Sequence, residues 1–168
     1  MAKSRFITVL ALAFALVTLV VRWAKIFVPS AGLATLDTLL LLVFLGMLAV
    51  IVLFQVFREG PITIQRISGA VVVYLLLGLM WALAYQLIEL QQPGSFNFAD
   101  APAIGDTLSA RLVYFGFVTL TTLGYGDITA VSPVARTLAM LEAVIGQLFP
   151  AILIARLVSM ELYYRRLM

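Results

Sequence analysis

Residues 121–127 read Thr-Thr-Leu-Gly-Tyr-Gly-Asp, from Thr121 to Asp127, and they follow a short apolar run at residues 112–120. That run is too short to cross a membrane as a helix, for which about 20 residues are needed. Gly124 and Gly126 can take positive φ without a Cβ clash, so alternating glycines let backbone carbonyls point to one side. Taken alone, Gly-Tyr-Gly-Asp also fits a tight external turn, because glycine and aspartate favour turns.

The composition of the whole chain indicates a membrane protein. Of its 168 residues, 64% are hydrophobic and 11% are charged, whereas soluble domains are about 45–50% apolar and about 25% charged. Four apolar segments are each long enough to span a bilayer as a helix, at about residues 6–28, 36–57, 67–90 and 133–160. We therefore predict an all-α membrane protein with four transmembrane helices and one short re-entrant helix.

The connection between the third and fourth segments begins as an exposed loop and then turns apolar. Its loop character comes from turn-forming residues, namely Pro93, Gly94, Asn97, Asp100, Pro102 and Gly105. Asp106, Thr107 or Ser109 is expected to cap the short helix that follows. A re-entrant segment is tolerated at membrane depth only where its non-helical backbone is buried in protein or lines a water-filled cavity. Residues 121–127 are therefore expected to line such a cavity.

The lysines and arginines predict the orientation of the chain in the membrane. Seven lie at one proposed face, namely Lys3, Arg5, Arg58, Arg66, Arg156, Arg165 and Arg166, and four at the other, namely Arg22, Lys25, Arg111 and Arg136. The positive-inside rule then places both termini in the cytoplasm. A cleaved signal peptide at the N-terminus is an alternative. It would leave three spans and fit the charge pattern less well, so we expect the first helix to be retained.

Residues 121–127 resemble the selectivity filter of the potassium channel family, which reads Thr-x-Gly-Tyr-Gly followed by Asp. The resemblance implies a filter from Thr122 to Gly126. It also implies that K⁺, as the permeant ion, is bound by the Thr122 hydroxyl and by the carbonyls of Thr122, Leu123, Gly124 and Tyr125, which replace its hydration shell. One filter strand cannot surround an ion and the chain contains no second copy, so several chains must meet at an axis. In this family the assembly is a homotetramer.

Residues around the filter are candidates for holding it in place. Asp127 lies at the expected outer mouth, where a ring of carboxylates would attract cations; a hydrogen bond that holds the filter is the other role open to it. The Tyr125 ring is expected to brace the filter, with Tyr114, Phe115 and Phe117 as packing partners, although aromatic residues at helical spacing also fit an ordinary core. The short helix is expected to direct the negative end of its dipole towards the pore.

The fourth segment resembles the inner, pore-lining helix of small prokaryotic potassium channels through residues 141–147 and 154–158. Within it, Pro150 has no amide hydrogen to bond the carbonyl of Gly146, so the pair predicts a kink. This kink is either a gating hinge, or a fixed bend or close helix contact at Gly146.

Two charged residues of the fourth segment lie among apolar neighbours. Glu142 is expected either to support the filter or to coordinate ions, and an ionisable group inside a membrane needs a partner. Arg111 or the backbone of the short helix is the expected partner. Arg156 is expected to extend to the cytoplasmic interface, with a gating role as the alternative.

Other functions are disfavoured by the residue types present. The chain has no histidine or cysteine, so it lacks the usual nucleophile and metal-ligand clusters and is not expected to be an enzyme. The basic residues form no patch or stripe, which argues against nucleic-acid binding. Arg22 and Lys25 are too few for a voltage sensor and are expected to anchor the helix at the membrane interface.

We interpret residues 1–66 as a two-helix transmembrane hairpin and residues 67–168 as an ion channel pore domain with outer helix, pore helix, filter and inner helix. The expected function is passive, potassium-selective conduction across the cell membrane. The expected partners are the lipid bilayer, potassium ions and further copies of the chain. A weakly selective cation channel and a non-conducting membrane subunit are the alternatives.

Overall fold

The computed structural model describes residues 14–24, 27–28, 30–57, 63–98 and 107–165, without the side chains of residues 160, 161 and 163–165. The helices within these ranges are α1 (Phe14–Ala24), α2 (Ala31–Val56), α3 (Ile64–Gln91), α4 (Leu108–Leu120) and α5 (Pro133–Arg165). Two short strands, β1 (Phe96–Asn97) and β2 (Thr129–Ala130), flank α4 in the sequence.

Three of the four predicted spans are confirmed as helices that are long and apolar enough to cross a membrane. They are α2, α3 and the part of α5 from Pro133 to Ser159. The first predicted span, residues 6–28, lies partly outside the described residues, and α1 is the described helix within it. The predicted short helix is α4, which is too short to span.

Hydroxyl side chains fix where several helices begin. Ser30 accepts a hydrogen bond from the Leu33 amide at 3.2 Å at the start of α2. Of the three cap candidates for α4, the structure uses Thr107, whose Oγ1 accepts from the Ala110 amide at 3.3 Å. Such caps satisfy an amide that has no partner inside the helix, and each contributes about 1 kcal/mol. The start of α4 is thereby set at Leu108.

The spanning helices leave large apolar side chains on the surface of the chain. Phe54 on α2 and Ile64 on α3 are 76% and 80% exposed, and several leucines and valines of α2, α3 and α5 are about half exposed. A protein in water rarely exposes so much continuous apolar surface. This surface is suited to lipid or to neighbouring protein chains.

Two glycines allow α4 to approach α3 closely. A Cβ added to Gly116 would lie 3.2 Å from the Gly78 carbonyl oxygen, and one added to Gly78 would lie 2.7 Å from the Phe117 ring. Larger side chains at either position would separate the two helices. The contact fixes the distance of α4 from α3, and therefore the position of the segment that leaves the end of α4.

The segments before and after α4 lie side by side. Strands β1 and β2 pair antiparallel, with Phe96 opposite Ala130, and the Val131 amide donates to the Ser95 carbonyl at 2.8 Å. Beneath the pair, the rings of Phe96, Phe115 and Tyr85 meet edge to face at centroid distances of 5.1–5.4 Å. This aromatic cluster is part of the described hydrophobic core, to which α4 contributes Phe115.

Candidate functional site

Residues 121–127 continue from the carboxyl end of α4 and are tied back to it by their first amides. The Thr122 amide donates to the Thr119 carbonyl at 2.9 Å, and the Leu123 amide donates to the Val118 carbonyl at 2.9 Å. The Thr121 hydroxyl donates to the Phe117 carbonyl at 2.7 Å. These bonds use carbonyls that the end of a helix would otherwise leave unsatisfied. The start of the segment is therefore fixed relative to α4.

The backbone of this segment alternates in conformation. Gly124 and Gly126 have the positive φ that the sequence predicts, at 62° and 80°, and Thr122 also has a positive φ of 57°. Among the described residues, Thr122 is the one residue other than glycine with positive φ. This conformation is uncommon for a residue with a Cβ and costs about 1–3 kcal/mol. The surrounding contacts must therefore hold Thr122 in place.

One such contact comes from α5. The Gln147 amide donates to the Thr122 hydroxyl oxygen at 2.7 Å. The sequence did not single out Gln147 as a functional residue, although it belongs to the stretch that carries the inner-helix resemblance. Because Gln147 and Thr122 are 25 positions apart, only the packing of α5 beside the end of α4 brings them together.

The same packing explains Gly146. This residue is buried, and a Cβ added to it would overlap the carbonyl oxygen of Leu120, the last residue of α4, and would lie 2.8 Å from the carbonyl carbon. Glycine is therefore the residue that allows α5 to touch the backbone at the start of the 121–127 segment. Of the alternatives for Gly146, the structure contains the close helix contact. Around Pro150, α5 is continuous.

Residues 121–126 are all exposed in the single chain, with Leu123 at 56% and Tyr125 at 65%. Nothing lies within 4 Å of a Cβ added to Gly124 or Gly126. The space around both glycines is open, so the need for glycine at these positions comes from backbone conformation and not from crowding. Residues 121–126 are thus accessible from outside the chain along their whole length.

The far end of the segment is held by Tyr114 of α4. Its hydroxyl donates to Asp127 Oδ2 at 2.6 Å, while Asp127 Oδ1 accepts from the Ile128 amide at 3.0 Å. Both carboxylate oxygens of Asp127 are thus engaged within the chain. The hydrogen bond to Asp127, followed by burial and the negative charge of Asp127, raises the pKa of Tyr114 to about 12. Tyr114 therefore stays protonated and remains a donor at physiological pH.

The three aromatic residues of α4 that were predicted to support Tyr125 have different packing partners. The rings of Tyr114 and Tyr125 are parallel within 3° and their centroids are 6.5 Å apart. Phe115 instead lies buried in the aromatic cluster with Tyr85 and Phe96, and Phe117 packs against Gly78. Tyr114 is thus the aromatic residue of α4 whose ring is stacked on that of Tyr125.

Glu142 is fully buried on α5, and its partner is Tyr85 on α3, whose hydroxyl donates to Glu142 Oε2. The expected partner Arg111 instead places its guanidinium over the Phe98 ring, 5.8 Å from the centroid. Glu142 Oε1 has no hydrogen-bond partner among the described residues. The pair joins α3 to α5 directly behind α4, where a lost partner would leave a buried carboxyl unsatisfied.

Comparison with known proteins gives one family match, which includes this site, and several relatives. The profile of the family described as "Ion channel" matches residues 70–162. The chain is 35% identical over 92 residues to the inward rectifier potassium channel Kirbac3.1 of Paramagnetospirillum magnetotacticum, covering 52% of this chain and 26% of that protein. It is 30% identical over 125 residues to Protein LctB of Bacillus caldotenax, covering 68% of this chain and 92% of that protein.

A plant relative matches over a shorter region. The two pore potassium channel c of Oryza sativa subsp. japonica is 39% identical over 69 residues, which cover 40% of this chain and 14% of that protein. The chain therefore spans about a quarter of the length of Kirbac3.1 and about a seventh of the rice protein. No solved structure gives a significant match.

Proposed function

This chain belongs to the potassium channel family, and we propose that it forms a potassium-selective pore whose filter is the backbone of residues 122–126. The observation that carries the proposal is the alternation of positive φ at Thr122, Gly124 and Gly126 in a segment that is exposed along its length. The family is one of channels, so the chain is a channel component and not an enzyme.

The alternating backbone supplies what a dehydrating cation needs. In an ordinary extended strand, successive groups point to opposite sides. A change in the sign of φ at every second residue turns successive carbonyls towards the same side, which gives a row of oxygens along one axis. Carbonyl oxygens in such a row replace the water around K⁺ in potassium channels. The carbonyls of Thr122, Leu123, Gly124 and Tyr125 and the Thr122 hydroxyl are the proposed ligands.

One chain presents one row, so the ion must be surrounded by several chains. Residues 121–126 are exposed in the single chain, and symmetric copies around an axis would enclose the ion between them. We propose a homotetramer in the cell membrane. The large apolar surface of the spanning helices is then shared between lipid and neighbouring subunits. Both termini are proposed to be cytoplasmic, as the positive-inside rule favours.

Contacts at both ends of the filter support this role. At the inner end, Gln147 donates to the Thr122 hydroxyl, and at the outer end Tyr114 donates to Asp127. In addition, α4 ends immediately before the filter, so the negative end of its dipole favours a cation nearby. These contacts give a selective filter the fixed geometry that a mobile turn would lack.

Gating by a charged sensor helix is not part of the proposal. Within the described portions of α1 and α2, Arg22 is the one basic residue, whereas a voltage sensor needs several positive charges. Gly146 and Pro150 stay the candidates for a hinge in α5. The division into a hairpin at residues 1–66 and a pore domain at residues 67–168 also belongs to the proposal.

Potassium flux into vesicles that contain the purified full-length chain tests the proposal. We expect potassium to pass much faster than sodium, and Gly124→Ala to abolish the flux, because alanine at positive φ is strained. Gly32→Ala is the matched control, since a Cβ at that position in α2 meets nothing within 4 Å. Equal potassium and sodium flux would favour a weakly selective cation channel. An intact assembly without flux would favour the non-conducting subunit.

A further inference from the structure

A cavity of about 370 Å³ lies where α1, α2, α3 and α4 meet. Its polar lining comes from Arg22 of α1, Asp37 and Thr38 of α2, Gln86 of α3 and Ser109 of α4, and leucine, alanine and valine side chains make up the rest. This volume is within the range of small-molecule sites, which combine apolar walls with a few convergent polar groups. The cavity is separate from the proposed filter and is not used by it.

The polar and apolar parts of the lining are at different depths. Asp37 lies near the start of α2, and Leu45 lies eight residues further along the helix, about 12 Å deeper at 1.5 Å per residue. On α3, which runs the opposite way, Gln86 is near the end and Leu79 is about 10 Å deeper. On α4, Val113 likewise lies one turn beyond the start of the helix. The cavity therefore has a polar rim and an apolar interior.

Among the residues that the structure describes, the rim carries one positive and one negative side chain, together with one amide and two hydroxyl groups. The Ser109 hydroxyl donates to Gln86 Oε1 at 3.1 Å, which leaves the Gln86 amide nitrogen to donate to a ligand. Arg22 is exposed at the rim and offers a planar set of donors suited to phosphate. Asp37 has an interaction within the chain, and the two oxygens of a carboxylate together accept about four hydrogen bonds.

We propose that this cavity binds one phosphatidylethanolamine lipid, with its headgroup at the rim and one acyl chain in the interior. The phosphate is bound by Arg22 and the Gln86 amide, and the primary ammonium donates to the Asp37 carboxylate. A zwitterionic headgroup matches the described part of the rim, which carries one charge of each sign, whereas a purely anionic headgroup places a second negative charge beside Asp37. The quaternary ammonium of phosphatidylcholine has no N–H to donate.

The site has a direct connection to the proposed filter. Ser109 and Val113 belong to α4, so the bound lipid contacts the helix from which residues 121–127 emerge. Binding itself does not depend on conduction. Only the consequence for flux rests on the proposed function, in which a lipid packed behind α4 limits its movement.

Lipid retention by the purified full-length chain tests the binding. Native mass spectrometry is performed with phosphatidylethanolamine, phosphatidylcholine and phosphatidylglycerol that carry identical acyl chains. We expect phosphatidylethanolamine to bind about tenfold tighter than the other two, since a hydrogen bond between charged groups contributes enough for such a ratio. Equal retention of all three lipids, or tighter retention of phosphatidylglycerol, would overturn the proposal.

Variants assign the bound lipid to this cavity. Arg22→Gln and Asp37→Asn should each reduce phosphatidylethanolamine affinity about tenfold, and Leu45→Phe should fill part of the interior and weaken every lipid. Val43→Phe, at an exposed position on α2, and Arg156→Gln, at an exposed position on α5, are matched controls and should change nothing. Arg22→Gln and Leu45→Phe leave the interaction of Asp37 within the chain in place, so they test lipid binding without removing it. If neither variant changes lipid retention, the lipid binds elsewhere and the assignment is refuted.

Vesicle flux then separates the site from the pore. With wild-type protein, replacing phosphatidylcholine by phosphatidylethanolamine should change the potassium flux, and Arg22→Gln should remove that response while basal flux in phosphatidylcholine remains. Wild-type protein that conducts potassium but does not retain phosphatidylethanolamine would overturn the lipid site alone. Preserved binding with no flux in any lipid would count against the proposed function alone.

Discussion

Replacement of Gly146 by alanine distinguishes a close helix contact from a flexible hinge. The added methyl group would overlap the Leu120 carbonyl oxygen and lie 2.8 Å from the carbonyl carbon, where an ordinary contact is at least 3.4 Å. Because the Cβ position is fixed by the backbone, no side-chain rotation relieves the overlap. The atoms it meets are also backbone, at the end of α4, so α5 must move away from α4 as a unit.

The two interpretations predict changes of opposite sign. In the interior of a helix without steric contact, alanine is more stable than glycine by about 1 kcal/mol. Overpacking of a tight contact instead costs about 1–3 kcal/mol, and more when the backbone must shift. The contact therefore predicts a net loss of stability. It also predicts a weaker Gln147–Thr122 hydrogen bond, because the neighbouring residue of α5 moves away from the proposed filter.

Thermal unfolding of the purified protein in detergent measures this difference. We expect Gly146→Ala to lower the melting temperature by several degrees, since each kcal/mol corresponds to about 2–4 °C for a chain of this size. Gly32→Ala, which meets nothing within 4 Å, should leave the melting temperature unchanged or raise it slightly. A Gly146→Ala protein as stable as the wild type, with altered channel opening, would refute the contact interpretation and support a hinge.

Substitutions also test three hydrogen bonds near the proposed filter. Tyr85→Phe should destabilise the protein by about 1–3 kcal/mol, because buried Glu142 loses its partner, whereas the double variant Tyr85→Phe with Glu142→Leu should be nearly neutral in unfolding experiments. Gln147→Leu should lower the potassium-to-sodium permeability ratio severalfold by releasing the Thr122 hydroxyl, and an unchanged ratio would exclude this role. Tyr114→Phe removes the hydrogen bond that holds Asp127 at the outer end of the proposed filter. Potassium flux through this variant should therefore decline faster with time than flux through the wild type. In the wild type this contact should persist below about pH 10 and be lost as the pH rises through about 12, because the Tyr114 pKa is raised.

The sequence predicted the spanning helices well because hydrophobic length is a property of the local chain. Helices α2, α3 and α5 follow from long apolar runs. The cap of α4 was narrowed to Asp106, Thr107 or Ser109, and the structure uses Thr107. The positive φ of Gly124 and Gly126 was also predictable, since glycine alone adopts that conformation readily.

Other features depend on contacts between distant parts of the chain and had no local signal. Tyr85 and Glu142 are 57 positions apart, so the sequence pointed to Arg111 or the backbone of the short helix and missed Tyr85 as the partner of the buried carboxyl. The positive φ of Thr122 contradicts the preference of its residue type and is supported by packing against α5. The strand pair β1–β2 was likewise missed, because each strand has two residues.

That strand pair also closes residues 98–128, which include α4 and the proposed filter, into one loop between α3 and α5. Since β1 and β2 hold the departing and returning chain together at Phe96 and Ala130, the two ends of the loop cannot move apart without breaking the ladder. A change in the tilt of α5 against α3 should therefore reach residues 121–127 mainly through the helix contacts of α4 and not through the ends of the loop.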